Sequence, residues 1–113
     1  MMQSLQRAVL ITLATVSGVP GACADESPSP LRQRELVHLV RQDCGSCHGL
    51  TLQGGLGSPL LPAALHDKPR ESLVATLLQG RPGTAMPGWA RFMTPVEAEW
   101  IVDQLQRGFP QEH

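Results

Sequence analysis

Lysine is nearly missing from this chain: Lys68 is the one example in 113 residues, and tyrosine is absent altogether. Without a cluster of ammonium groups there is no ring of charge to steer an acidic partner, so association should depend only weakly on salt. Long apolar runs are equally scarce. Ala8 to Val19 is the one nearly unbroken stretch, and it falls well short of the roughly 20 residues that cross a bilayer as a helix. No segment alternates apolar and polar residues with the period of two that a half-buried strand requires, and there is no repeat or low-complexity tract. These absences exclude an integral membrane protein and give a sheet no support. The expectation is an all-α domain.

What is present begins with an export pattern. Met1 to Arg7 carries one basic residue and no acid, the apolar stretch comes next, and Ala22-Cys23-Ala24 places small residues where a signal peptidase reads. Residues 1–24 are predicted to be a secretory signal peptide cut after Ala24, with an uncleaved membrane anchor as the alternative. A lipid on Cys23 is a second alternative, although Pro20 stands three positions earlier where a leucine-like residue is usual. Cleavage leaves 89 residues with eight basic against ten acidic side chains. That small negative charge argues against nucleic acid or an anionic membrane surface as partner. A domain of this size often needs a staple or a cofactor to complete its core.

Residues 25–30, "DESPSP", read as a flexible leader, and residues 31–113 as one domain. Leu31 to Asp43 places Leu36, Val40 and Cys44 four apart with Leu39 and Cys47 beside them, the stripe of an amphipathic helix. It runs directly into Cys44-Gly45-Ser46-Cys47-His48-Gly49. Gly54 to Pro62 carries too many glycines and prolines for a regular element and is a loop. A second helix is signalled by Asp67 or Lys68 as cap, Pro69 in its first turn, Leu73, Leu77 and Leu78 on one side, and Gly80 as terminator. Arg81 to Ala90 is again loop. The last helix opens on the capping box Thr94-Pro95-Val96-Glu97, carries Val96, Trp100, Ile101 and Leu105 as its stripe, and ends at Gly108. Long loops in so small a domain suggest that they wrap something.

The segment "CGSCHG" has three chemical readings. A disulfide or redox dithiol is the first, but a thioredoxin-like pair belongs in a βαβ setting that this chain lacks. Zinc is the second, and needs a further ligand pair, whereas His38, His66 and His113 are unpaired in sequence. The third, favoured reading is covalent haem attachment through Cys-x-x-Cys-His. Cys44 and Cys47, three apart on a helical turn, can form thioethers to the two vinyl edges, and His48 then projects its imidazole at the iron. Gly49 leaves room for the ring. A sixth ligand would come from Met86, held between turn residues in "GTAMPG"; Met93, a histidine or an open position are the alternatives.

Helix, "CGSCHG", glycine-rich loop, helix, "AMPGW" and a capped final helix, in that order, resemble a class I monohaem cytochrome c over residues 31–108. The resemblance implies three to four helices and long loops wrapped around one covalently bound haem c. It further implies that the carbonyl of Pro59 accepts the proximal imidazole's hydrogen bond and that Leu60 packs on the haem face. Such folds often cross their first and last helices through a glycine and an aromatic residue, and Leu31 to Asp43 has neither; Trp100 packing on Leu36 and Val40 is the expected substitute. More narrowly, "LVRQDCGSCHGLTLQGGLGSPLLPAAL" with "LLQGRPGTAMPGW" is similar to the NirC-type periplasmic cytochromes associated with haem cd nitrite reductase in denitrifying bacteria.

Iron ligated by His48 and Met86 has no position for substrate, which leaves one-electron transfer. A thioether ligand and an apolar pocket of Leu60, Leu73, Leu77, Trp89 and Trp100 would raise the reduction potential. Trp89 either shields the haem edge or is ordinary core, and Arg81 either meets a propionate or is a solvated charge past a helix end. The resemblance implies an electron carrier to haem cd nitrite reductase, or a helper in maturing its haem. The rivals are a five-coordinate haem enzyme or gas sensor, and a carrier for another periplasmic oxidoreductase.

Overall fold

Ser29 and Pro30 start the first helix. The Ser29 hydroxyl accepts from the Arg32 N–H at 3.3 Å, and Pro30, which has no N–H to lose, fills the first helical position of α1 (Pro30–Leu39). In this computed structural model, which describes Gly18 and residues 27–112, α1 does not stop at Leu39. It widens into one π turn (Val40–Cys44), in which the Gly45 N–H reaches back five residues to the Val40 carbonyl, and continues as α2 (Gly45–His48). The expected signal peptide and Cys23 lie outside the described residues.

The π turn alters the face of the rod. Leu36, Val37 and Val40 are buried as the apolar stripe requires, but the inserted residue rotates the positions beyond it. Cys44 is therefore only half-buried, and Arg41 is drawn inward. Arg41 is the buried charged side chain among the described residues, and it spends its donors on the chain beyond the last helix. Its Nε and Nη2 reach the Pro110 carbonyl at 3.1 and 2.8 Å, Nη2 also reaches the Phe109 carbonyl at 2.9 Å, and the guanidinium lies 5.4 Å from the Phe109 ring centroid.

Gly49, at φ 87°, ends α2, and the loop after it folds back onto the helix terminus. Gly57 N–H donates to the Cys47 carbonyl at 2.7 Å and Gly54 N–H to the His48 carbonyl at 2.8 Å, satisfying two acceptors that a helix end leaves open. Leu52 adopts φ 62° in this loop, an unfavourable conformation for a branched side chain, and it is held there by near-complete burial. A short helix not anticipated from sequence comes next, α3 (Pro62–Leu65), with Pro62 in its first turn and Leu65 in the core.

The fourth helix, α4 (Arg70–Gln79), begins later than expected: Pro69 occupies the cap position rather than the first turn, and no side chain caps the helix. Gly80 ends it at φ 74°. The last, α5 (Pro95–Arg107), has both halves of the predicted capping box and stops at Gly108. Its buried face is Ala98, Ile101, Val102 and Leu105, spaced as a helix demands, so Val96 and Trp100 flank the stripe, half-buried, instead of forming it.

Leu36 and Val40 share one core cluster with Ala98, Ile101, Leu52, Leu65, Leu77 and Met93. Ala98 of α5 is a fully buried small residue in that cluster. Trp100 packs at the margin of the same cluster. The architecture is all-α, with no strand among the described residues. Among the described residues there are five α-helical segments and one π turn where three to four helices were expected, because α2 prolongs α1 through the π turn and α3 is a single turn.

Candidate functional site

Cys44 and Cys47 are free thiols on one continuous helical stretch, Cys44 half-buried against the core and Cys47 exposed. Burial pushes the Cys44 thiol up to about 11, with the neighbouring Asp43 charge adding to the effect. A redox-active dithiol needs the opposite, a lowered thiol. No group of three or more metal-ligating side chains gathers among the described residues.

His48, the last residue of α2, is half-buried. Its Nδ1 lies 2.6 Å from the carbonyl oxygen of Ser58. A carbonyl only accepts, so Nδ1–H is the donor, the arrangement in which a neutral ring has Nε2 free to act as a ligand. The expected acceptor was the carbonyl of Pro59, and this is corrected: the oxygen belongs to the preceding residue. Pro59 acts indirectly, since a proline pushes the residue before it towards extended backbone and so constrains where that carbonyl points. Gly57 packs against the same Nδ1–Cε1 part of the ring. A Cβ at this position would lie 2.7 Å from both Nδ1 and Cε1 of His48, so only glycine permits the approach.

The Met86 loop is fastened to the end of α4. Arg81 N–H donates to the Met86 carbonyl at 3.1 Å, while Trp89 and Ala90 N–H groups donate to the Leu77 and Leu78 carbonyls at 2.9 and 3.2 Å. Gly80 and Gly88 allow this close approach, since a Cβ on either would meet backbone at 2.7 Å. Met86 is half-buried, whereas Met93 is buried in the core cluster as a packing residue. Arg81 is exposed, and its side chain enters no ion pair among the described residues.

Leu60, Leu73, Leu78, Trp89 and Cys44 all pack, half-buried, around the same core, and Leu77 lies within it. Trp89 meets Phe92 with ring centroids 5.5 Å apart. Sequence reasoning missed Ser58 and Gly57; the Ser-Pro dipeptide and the closely spaced glycines were the available signals. The donors present fit haem c by their chemistry: two thiols one turn apart, an imidazole with Nδ1 already engaged, and a thioether on a pinned loop outside the core.

Comparison with known proteins points the same way. Residues 32–104 match the family model described as cytochrome C oxidase, cbb3-type, subunit III. Cytochrome c55X of Pseudomonas aeruginosa is 55% identical over 98 residues, 87% of this chain and 82% of that protein. The solved structure of the c-type cytochrome NirC is similar at 59% identity and a TM-score of 0.71, over 72% of this chain and 95% of that one. The dihydro-heme d1 dehydrogenase NirN, solved in complex with DHE, is similar at 35% identity and a TM-score of 0.59, over 66% of this chain but only 16% of that one. No helix among the described residues is long and apolar enough to cross a membrane. The chain belongs to the c-type cytochromes, whose cofactor is haem c, and within them it resembles cytochrome c55X and NirC, which are electron-transfer proteins rather than enzymes.

Proposed function

We propose that this chain is a periplasmic carrier of single electrons, holding one haem covalently through Cys44 and Cys47, with His48 and Met86 as axial ligands. The observation that carries the reading is the His48 ring, held by the Ser58 carbonyl on Nδ1 and by Gly57 against its edge, with Nε2 of a neutral ring free to act as a ligand. Haem c supplies a one-electron iron couple. The chain's part is to hold the imidazole in one tautomer, offer a thioether from the Met86 loop and surround the centre with Leu60, Leu73 and Trp89. A low-polarity surround and a sulfur ligand favour the reduced state. Arg81, exposed at the foot of the Met86 loop, is assigned to a propionate. Residues 1–24 are the cleaved export signal, 25–30 a leader and 31–113 the domain.

The electron acceptor we propose is haem cd nitrite reductase of denitrification, supported by the likeness to NirC. A second role, as a helper in maturing that enzyme's haem, is supported by the likeness to a part of the dihydro-heme d1 dehydrogenase NirN. Reduced protein mixed with purified haem cd nitrite reductase should be oxidised at micromolar concentrations. Absence of transfer would withdraw the nitrite reductase assignment. Oxidation by dihydro-heme d1 dehydrogenase alone, or none by either, would separate the maturation role from that of a carrier for another oxidoreductase.

A further inference from the structure

The loop carrying Met86 is anchored at both ends, and the two anchors differ in kind. Towards α4 the anchor is backbone alone, the Arg81, Trp89 and Ala90 bonds described above. Towards α5 it is a side chain from a distant helix. Arg32, in the first turn of α1, places Nε 2.7 Å from Glu97 Oε1 and Nη2 3.1 Å from Glu97 Oε2, the two-pronged match of guanidinium to carboxylate. The same Nη2 donates to the Phe92 carbonyl at 3.0 Å, and Nη1 reaches Glu35 at 2.9 Å. Glu97 Oε2 accepts in turn from the Thr94 N–H at 2.9 Å, and the Phe92 N–H donates to the Trp89 carbonyl at 2.9 Å. These contacts run from α1 to a point three residues from Met86. They lie along an open hollow of about 360 Å³ lined by Arg32, Arg91, Phe92, Met93, Thr94 and Glu97.

We propose that Arg32 is a positioning residue for the axial thioether: by holding Phe92 and Glu97 it fixes the α5 side of the loop and sets how often Met86 leaves the iron. The inference rests on the axial reading of Met86. Departure of the thioether requires the 81–94 segment to open locally, and the frequency of such opening depends on the contacts that opening breaks. Two charge-assisted bonds tie this segment to the clamp, Arg32 Nη2 to the Phe92 carbonyl and the Thr94 N–H to Glu97 Oε2, and their charged partners are fixed by the Arg32–Glu97 pair, whose side chains are 33% and 15% exposed. The Arg70 pair with Asp103, at 2.6 Å, also joins two helices but touches no residue of the loop, which makes it the natural control.

The experiment uses the full-length, haem-loaded protein and reads the rate at which carbon monoxide binds the reduced form, together with the sulfur-dependent band at the red end of the oxidised spectrum. Arg32→Ala should speed carbon monoxide binding about tenfold. Arg32→Lys, which keeps the charge and loses the fork, should lie between wild type and Arg32→Ala, and it stands as the test if the alanine variant does not fold. Arg70→Ala should lower stability and leave the rate unchanged. If Arg32 and Arg70 variants speed binding equally for equal losses of stability, or if neither Arg32 variant changes the rate, the proposal is overturned. A Met86→Ala variant that matches wild type in band and rate would instead remove the axial reading, and the clamp with it.

Discussion

His48 is held at its Nδ1 edge by the backbone of two adjacent residues, Gly57 and Ser58. The Ser58 carbonyl accepts a hydrogen bond from the Nδ1–H at 2.6 Å, and Gly57 lies so close to the ring that a methyl group would sit 2.7 Å from it. Gly57→Ala should therefore displace the imidazole and cost about 1–3 kcal/mol, the usual penalty for overfilling a packed site, measured by denaturant unfolding. The same variant should reduce the fraction of protein that carries covalent haem in its mass spectrum. Met86→Ala should lower the reduction potential and open the loaded iron to carbon monoxide; an unchanged voltammogram would show that Met86 is not a ligand. At this scale the spacing of Cys44, Cys47 and His48 was legible because all three fall within five consecutive residues. The acceptor for His48 was not, because whether Ser58 or Pro59 offers its carbonyl depends on the path of a loop folded back by Gly49 and Gly54, at φ 87° and 108°.

Helix boundaries with chemical punctuation were readable, and those without it were not. Thr94, Glu97 and Gly108 marked α5 to the residue, whereas α3 is one turn long and leaves no periodic trace. The π turn at Val40–Cys44 was invisible for a different reason. Its inserted residue is stabilised by contacts remote in sequence, the Arg41 bonds to Phe109 and Pro110, which no local pattern announces. Removing those bonds with Arg41→Ala should cost about 1–3 kcal/mol in denaturant unfolding, since two half-buried carbonyls lose their charged donor. The ion pairs between helices give a pH dependence of definite sign. Arg32 holds the Glu97 carboxyl below its ordinary value and Arg70 does the same for Asp103. Both contributions are complete above the ordinary carboxylate range and are lost as pH falls through the depressed values. Unfolding free energy should thus fall only below about pH 5, and Glu97→Gln, which keeps a capping acceptor, should flatten that acid limb.

The distribution of charge over the whole molecule reflects where the site is built. Residues 44–65 and 82–90, the segments that carry the cysteines, His48 and Met86, contain no Asp, Glu, Lys or Arg. Arg32 and Arg70 are meanwhile paired with carboxylates on the helices. The rate of electron transfer to a protein partner should accordingly change little while added salt shortens the Debye length from about 30 to about 3 Å; a steep fall would reveal charge steering that this surface does not provide. The all-α architecture and the order of its motifs were legible from the chain alone, but the way the loops pin Met86 needed Gly80 and Gly88 seen against the end of α4. If His48 and Met86 hold the iron of one haem as proposed, no position would be left for substrate, and the protein would pass electrons instead of binding substrate. The decisive experiment exposes the reduced, haem-loaded protein to carbon monoxide and watches its visible spectrum. Closed axial positions allow no more than slow adduct formation, limited by departure of Met86; rapid, tight binding would mean an open iron and would contradict that coordination.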